Sequence, residues 1–557
     1  MALSFAIDSR MRVKTTTYSE CKQKPCQFHW HGLLSLTIHL RSAGAPMQNV
    51  MRISELATLL GGTVLSGHDR ELTVTAITAD SRAVQPDSIF VAVTGGSVDG
   101  HRFISDAVEK GAVLLVVSEP QEGLSVPVIL VKDTRQALSQ LSSWFYGEPS
   151  RQMTCIGVTG TNGKTTINWI LYNLMNQRSL PAVRIGTLGV RAEGVLDLPG
   201  ELTTPDVLTI QRSLATALEA GCKGAVLETS SHALDQHRVH GMNFEVGVFT
   251  NLTRDHLDYH QTMERYYRAK ELLVDLLAAS TRERRAMVVN LDDSYGDRMA
   301  ARAKALGIRV VGFGKKRSGT NEKPSIEIES FEQSIAGSAL KLAVEGKPLL
   351  IRSRYIGFHN AENIAAVIGV AHALQWSLEE VAASFLGLPM VPGRLEPVGS
   401  SRLGIYVDYA HSPDALEKVL AALRPLTRGK LWVVFGCGGD RDRGKRPQMA
   451  AVAARLADRV MVTSDNPRTE EPEGIINEIL GGGAAAPSVP APWGTEVDRR
   501  KAIQRVIRAA DDGDVILIAG KGHEDYQIIG KTKHHFSDQS EACAALAERE
   551  RGGQNIV

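Results

Sequence analysis

MTCIGVTGTNGKTTINWILYNLM, Met153 to Met175, sets the reading of the fold. MTCIGV reads as a buried strand, and INWILYNLM repeats its apolar residues at helical spacing. Between them lies TGTNGKTT, Thr159 to Thr166. Strand, glycine turn, Lys-Thr, helix is the frame of a phosphate-binding loop. Gly160 and Gly163 would let backbone N–H groups approach phosphate oxygens. Lys164 would reach the β- and γ-phosphates, and the Thr165 hydroxyl would offer itself to Mg²⁺. The pattern departs in one place, with Val158 where the general motif has glycine. No NKxD guanine-reading motif occurs, so ATP is the expected nucleotide.

Outward toward the C-terminus, three further runs share one design: GCGGDRDRGKR from Gly436, SDNPRTEEP from Ser464 and AGKGHEDYQ from Ala519. Each follows an apolar, β-branched stretch (LWVVF, RVMVT, DVILI), which predicts three buried parallel strands. Open α/β sheets bind ligands at the carboxyl ends of their strands. One pocket is therefore expected to hold Arg441, Asp465, Asn466, Arg468 and Glu524. Guanidinium forks would grip carboxylates, and the acids would hold an ammonium, which suits a zwitterionic amino acid. The plain alternative for each run is a solvated polar turn.

Between these regions, GAVLETSSH places Glu228 at the end of an apolar strand on the same edge as the phosphate loop. A carboxylate there commonly holds Mg²⁺. Its alternative is a helix N-cap, which Ser230 would serve equally well. His256 is expected at the end of another strand, FEVGVFT, and a lone histidine is more often structural. In the amphipathic helix MERYYRAKELLVDLL, composition alone reads Lys270 as a surface lysine whose stem lies along the helix. Asn360 and Asn363 of GFHNAENIAA read first as helix caps.

These segments carry a family resemblance. TGTNGKTT resembles the ATP loop of the Mur ligases. ADSR at Ala79, ETSSHALDQHR at Glu228, NLTRDHLDYH at Asn251, GFHNAENIAA at Gly357, GRLE at Gly393, DYAHSPDAL at Asp408 and DNPR at Asp465 follow in that family's order. The likeness extends from about Met51 to the helix after AGKGHEDYQ. It implies an ATP-dependent amide ligase of cytoplasmic cell-wall precursor synthesis. The implied substrates are ATP, UDP-N-acetylmuramoyl-L-alanyl-D-glutamate and meso-diaminopimelate. Gly160, Thr161, Asn162, Gly163, Lys164, Thr165 and Thr166 would bind ATP, with Asn360, Asn363, Arg394, Asp408 and His411. Ser81, Gly96, Ser97, Thr203, Thr204, Ser230, Gln236 and Arg238 would take the UDP-muramoyl dipeptide. Leu202, just before the threonine pair, departs from the polar residue expected there. Arg441, Asp465, Asn466, Pro467, Arg468, Gly520 and Glu524 would take diaminopimelate, with Arg468 on its second carboxylate. Lys164, His256 and Lys270 would be catalytic. Thr165, Glu228 and Lys270, the last as its carbamate (N6-carboxylysine), would hold Mg²⁺.

At 557 residues and a net charge of +1, the chain has room for about three domains and no basic stripe for a nucleic acid. No apolar run reaches the roughly 18 residues of a membrane helix. Six scattered cysteines suit a reducing cytoplasm. Cys21, Cys26, His29 and His31 fit no standard zinc spacing. Residues 1–50 read as a disordered extension or an upstream start, with Met47 and Met51 as candidate true starts; a transit peptide is the weaker alternative. The expected architecture is α/β: a small UDP-substrate domain (51–150), a central P-loop ATPase domain with a parallel sheet (151–392), and a C-terminal Rossmann-like domain (393–557). IEIESFEQSIAGSALKLAVEGKPLLIRSR is expected to form hairpins, and GGGAAAPSVPAP after Leu480 a surface loop. A monomer is expected. The alternatives are a lysine-adding Mur ligase, a folylpolyglutamate synthetase, a non-catalytic scaffold derived from the fold, and a generic P-loop kinase.

Overall fold

The computed structural model describes residues 49–554 apart from 68–69, 96–97, 122, 317–323, 400–402 and 485–492. Gly96, Ser97, the Cys21/Cys26/His29/His31 set and most of the N-terminal extension lie outside the described residues. Three principal sheets follow one another along the chain.

The first sheet has five strands, ordered Thr63–Ser66, Val128–Leu130, Ala112–Val117, Ser88–Val91, Ala76–Thr78. Helices Ile53–Leu60 and Thr134–Phe145 pack on one face, and Ile104–Glu109 on the other. Residues 71–78 divide between two sheets. Glu71–Val74 pairs antiparallel with Asn49–Arg52, and only Ala76–Thr78 enters the sheet. The first described element is the Asn49–Arg52 strand, slightly ahead of the expected Met51.

The central sheet has eleven strands. Its middle runs parallel, in the order Ala182–Gly186, Gly224–Glu228, Thr154–Thr159, Val246–Phe249, Ala286–Asn290, Arg309–Lys315, Ile326–Ser334. Both edges are antiparallel, so the sheet is mixed rather than parallel throughout. At the later edge the cause is local: Glu345 and Gly346, both at positive φ (46° and 79°), form a tight turn that folds Lys347–Ser353 back antiparallel on Gly337–Val344. The expected hairpins are therefore present as the meander Ile326–Ser334, Gly337–Val344, Lys347–Ser353. Helices Lys164–Gln177 and Phe358–Ala373 bury their apolar faces on one side; Val207–Glu219 and Met263–Ala279 cover the other.

The third sheet runs Glu396–Pro397, Gly404–Asp408, Val515–Ala519, Leu431–Phe435, Arg459–Thr463, Trp493–Glu496, and its last five strands are parallel. Helices lie on both faces, as in doubly wound folds. The strands feeding the three charged runs are adjacent, so those runs emerge side by side. The glycines after Leu480 are not all loop: helix Pro472–Ala484 continues through them. A Cβ on Gly482 would stand 2.2 Å from Pro447 Cα, so the glycine lets this helix lie against Lys445–Leu456.

Candidate functional site

Strand Thr154–Thr159 lies between Gly224–Glu228 and Val246–Phe249, parallel to both. Their carboxyl ends bring the phosphate loop, Glu228 and the Asn251–His260 segment to one edge. The loop glycines are sterically required. A Cβ on Gly160 would stand 1.8 Å from Thr250 Oγ1, and one on Gly163 would stand 2.4 Å from Asn363 Oδ1. Lys164 Nζ folds back on its own loop, donating to the carbonyls of Gly160 and Thr161 at 2.9 Å each.

Glu228 is not a helix cap. Ser230 caps the following helix, accepting from Ala233 N at 3.2 Å. The Glu228 carboxylate instead accepts from Thr165 Oγ1 (3.0 Å), Thr187 N (2.9 Å) and Thr187 Oγ1 (3.0 Å). This hydroxyl and carboxylate are oxygen donors of the kind Mg²⁺ takes. Among the described residues no group of three or more His, Cys, Asp or Glu could hold a metal. Mg²⁺ binds through one or two carboxylates plus substrate phosphates.

Lys270 is not a surface residue: it is 1% exposed. Its Nζ donates to Gly160 O at 2.8 Å and lies 4.5 Å from the Tyr266 ring centroid. Burial first, and then the Lys164 cation, push its pKa well below the usual lysine value. Carbamate formation needs the neutral amine, the form that burial favours. The signal was present in the spacing. Lys270 stands on the buried stripe of its helix with Tyr266, Leu273, Val274 and Leu277.

His256 lies beyond its strand, which ends at Phe249, and precedes helix Leu257–His260 in a left-handed conformation (φ 53°). Its ring sits edge-on to His232 at 4.9 Å and 3.5 Å from the Asp255 carboxylate. Burial lowers its pKa to about 4.

A cavity of about 260 Å³ joins these groups to the C-terminal domain, with Lys164, Glu228 and His256 on the central side and Arg394, Asp408 and His411 opposite. Asn360 and Asn363 line it from the start of helix Phe358–Ala373, and Asn363 Nδ2 donates to Asn360 Oδ1 at 3.0 Å. Of the residues expected at ATP, only Gly160 is absent from the lining, and its carbonyl holds both lysines. Arg394 Nη2 donates to Thr165 Oγ1 at 3.3 Å. His411 Nδ1 lies 2.8 Å from Tyr409 O. The Asp408 carboxylate accepts from Leu395 N and Ala410 N, and burial raises its pKa to about 6.

Of the residues expected at the muramoyl dipeptide, Thr203 lines this cavity. Thr204 Oγ1 donates to Glu228 O at 2.7 Å and lies 3.1 Å from Ser230 Oγ. Arg238 donates to Thr204 O and to Gln236 Oε1. These five cluster beside Glu228. Leu202 is exposed. Ser81 stands apart, buried in the first domain, where its carbonyl accepts from Lys110 Nζ.

The amino-acid set gathers around the DNPR loop. Arg468 is left-handed (φ 52°), and its backbone is held by Ile528 O (3.1 Å) and Gly530 N (2.7 Å). Its Nη1 donates to Gly439 O at 2.8 Å. Pro467 is buried, and its carbonyl would lie 1.9 Å from a Cβ on Gly439. A Cβ on Gly520 would stand 2.5 Å from Asp465 Oδ2. Asn466 Nδ2 donates to Glu524 Oε2 at 2.9 Å, and Arg441 is exposed at the rim.

Sequence reading missed several groups. Thr187 supports Glu228. Lys445 of the charged run reaches Asp255 at 3.2 Å, and Asp414 accepts from the loop residue Asn162 at 2.9 Å; both tie the two domains together. Lys521, inside AGKGHE, pairs with Glu524. Arg499 and Asp538 form a fully buried ion pair, from which Arg499 also reaches Ala519 O. Lys445, Asp414 and Lys521 lay within motifs already singled out; Thr187, Arg499 and Asp538 did not.

Family models match the chain in order: the Mur ligase family catalytic domain at 73–146, the Mur ligase middle domain at 158–371, and the Mur ligase glutamate ligase domain at 393–522. The UDP-N-acetylmuramoyl-L-alanyl-D-glutamate–2,6-diaminopimelate ligase of Geobacter metallireducens is 41% identical over 522 residues, covering 90% of this chain and 100% of its own. The protein of the same name from Gloeobacter violaceus is 43% identical over 509 residues, covering 90% and 99%. A solved structure of a ligase of that name superposes with a TM-score of 0.67 at 32% identity, covering 90% of this chain and 100% of that one.

Proposed function

The chain belongs to the Mur ligase family, and from that premise we propose that it joins meso-2,6-diaminopimelate to the D-glutamate of UDP-N-acetylmuramoyl-L-alanyl-D-glutamate, with ATP hydrolysed to ADP and phosphate. The observation that carries the reading is the shared cavity, where the phosphate loop and Glu228 face Arg394 and His411 of the domain bearing the DNPR loop. Reaction and substrates place the work in cytoplasmic peptidoglycan precursor synthesis.

A carboxylate is a poor electrophile and must first be activated. The D-glutamate γ-carboxylate attacks the γ-phosphorus of ATP, giving an acyl phosphate and ADP. Lys164 leaves the Gly160 and Thr161 carbonyls and turns its ammonium to the β- and γ-phosphates. Backbone amides of Thr161 to Thr166 cradle the same oxygens. Mg²⁺, when bound by Thr165, Glu228 and the carbamate of Lys270, would neutralise charge developing on the transferring phosphoryl group. Asn360, Asn363, Arg394, Asp408 and His411 frame the nucleotide. Thr203, Thr204, Ser230, Gln236 and Arg238 align the dipeptide, with Ser81 toward its UDP end.

The neutral amine of diaminopimelate then attacks the acyl carbon, and the tetrahedral adduct collapses with loss of phosphate. His256, whose pKa burial lowers to about 4, lines the same cavity beside the phosphate loop. Asp465, Asn466, Pro467, Gly520 and Glu524 hold the amino-acid end of diaminopimelate, with Arg441 at the rim. Arg468 takes the second carboxylate, which lysine lacks. The Lys445–Asp255 and Asp414–Asn162 contacts close the two domains and exclude water from the acyl phosphate.

The test is isotopic. With ¹⁸O in the D-glutamate γ-carboxylate, each turnover delivers one ¹⁸O to inorganic phosphate. Unlabelled phosphate alongside tripeptide product would exclude the acyl-phosphate route.

A further inference from the structure

Beneath the DNPR loop lies a buried charge that the mechanism above does not use. Lys521 is 0% exposed. Its Nζ donates to Glu524 Oε2 at 2.9 Å and to Asn466 Oδ1 at 3.2 Å. Asn466 Nδ2 donates to the same Oε2 at 2.9 Å, which closes a three-membered ring of hydrogen bonds. Ile528 N also donates to Asn466 Oδ1, so the orientation of that amide is fixed by a backbone group. Both side-chain donors fall on one oxygen of Glu524, and the other is the one a ligand's ammonium would take.

The surrounding backbone leaves Lys521 little freedom. Gly520 and Gly522, on either side of it, are at φ 117° and 55°. A Cβ on Gly522 would stand 2.7 Å from Tyr409 Cβ, and one on Gly520 2.5 Å from Asp465 Oδ2. A fully buried ammonium is retained only where its partners are fixed, and here those partners are two residues expected to touch the amino acid.

We propose that Lys521 is a positioning residue of the amino-acid site, holding Asn466 and Glu524 in one arrangement that receives the substrate's amino-acid group. The proposal rests on the reading that these loops bind diaminopimelate. It assigns Lys521 no contact with the reacting atoms. Its loss should therefore weaken capture of the amino acid while leaving ATP binding alone.

The test is a double-mutant cycle on the full chain with Lys521→Met, Glu524→Gln and the pair combined, read by phosphate release and thermal unfolding. Lys521→Met is expected to raise KM for meso-diaminopimelate at least tenfold, with KM for ATP within twofold of the unmutated enzyme. Lys521→Gln, which keeps a donor, should fall between. The double variant has no unpaired buried charge, so it should recover the Tm lost by either single change while KM for diaminopimelate stays high. It also keeps the test open if Lys521→Met does not fold. An unchanged KM for diaminopimelate in the folded variants would overturn the proposal, as would KM values for ATP and diaminopimelate that rise together. Absence of diaminopimelate-dependent phosphate release from the unmutated enzyme would be a different failure, that of the functional reading itself.

Discussion

Lys164 and Lys270 share one acceptor: both Nζ atoms donate to the Gly160 carbonyl, at 2.9 and 2.8 Å. Burial first, and then repulsion from the Lys164 cation, hold the pKa of Lys270 well below the usual lysine value. Carbamylation would turn that repulsion into attraction. With ¹³C-labelled CO₂ supplied near neutral pH, a carbamate carbonyl signal is expected in the ¹³C spectrum and should vanish in Lys270→Ala. Identical spectra from the two proteins would remove the carbamate from the account.

Glu228 is buried at 1% exposure and takes hydrogen bonds from Thr165 and Thr187. Glu228→Gln keeps the shape and loses the charge. It should cut kcat roughly a hundredfold or more, the usual scale for removing charge stabilisation of a transition state. Raising Mg²⁺ should restore part of the loss. A variant with normal kcat and normal Mg²⁺ dependence would move the metal elsewhere.

Arg468 is anchored by Gly439 O and by the backbone of the neighbouring hairpin. Removing one partner of a desolvated charge pair costs about 3–5 kcal/mol. Arg468→Ala should raise KM for diaminopimelate by roughly a hundredfold or more while KM for ATP stays put. Preference over lysine should shrink in parallel. Normal saturation with diaminopimelate would sink the assignment.

Acid should destabilise the fold. Burial holds His256, His260 and His359 down to about 4, and His523 to about 3. The unfolded chain protonates histidine near ~6.5. Between those values the unfolded chain binds more protons, so stability falls as pH falls. Asp408, raised to about 6 by burial, has the opposite sign over roughly pH 4 to 6. Burial lowers His232, His240, His372 and His411 as well, and raises Asp293, Glu362 and Glu396; the histidines outnumber the acids, and Tm should drop by several degrees between about pH 7 and about pH 5. A flat or rising Tm would contradict these environments.

The strand-turn-helix of the phosphate loop and the three parallel C-terminal strands were legible because each carries its own local pattern: apolar run, glycine turn, polar loop. The mixed edges of the central sheet were harder, since parallel and antiparallel pairing use the same residue types and only the short turns, such as Glu345–Gly346, separate them. Lys270 was readable from its register on the buried stripe, but composition argued for the surface. Asp414 and Asn162, 252 residues apart, meet only through the packing of two domains, and nothing near either residue announces the other. Thr187 likewise acts on Glu228 across neighbouring strands.

The central claim is tested most directly by measuring phosphate release from ATP with UDP-N-acetylmuramoyl-L-alanyl-D-glutamate, adding meso-diaminopimelate or L-lysine in parallel and weighing the product. Release and a tripeptide mass with diaminopimelate alone is the expected result. Product with lysine in its place would contradict the reading of Arg468, and a folded, ATP-binding chain that turned over neither would contradict the assignment of ligase activity.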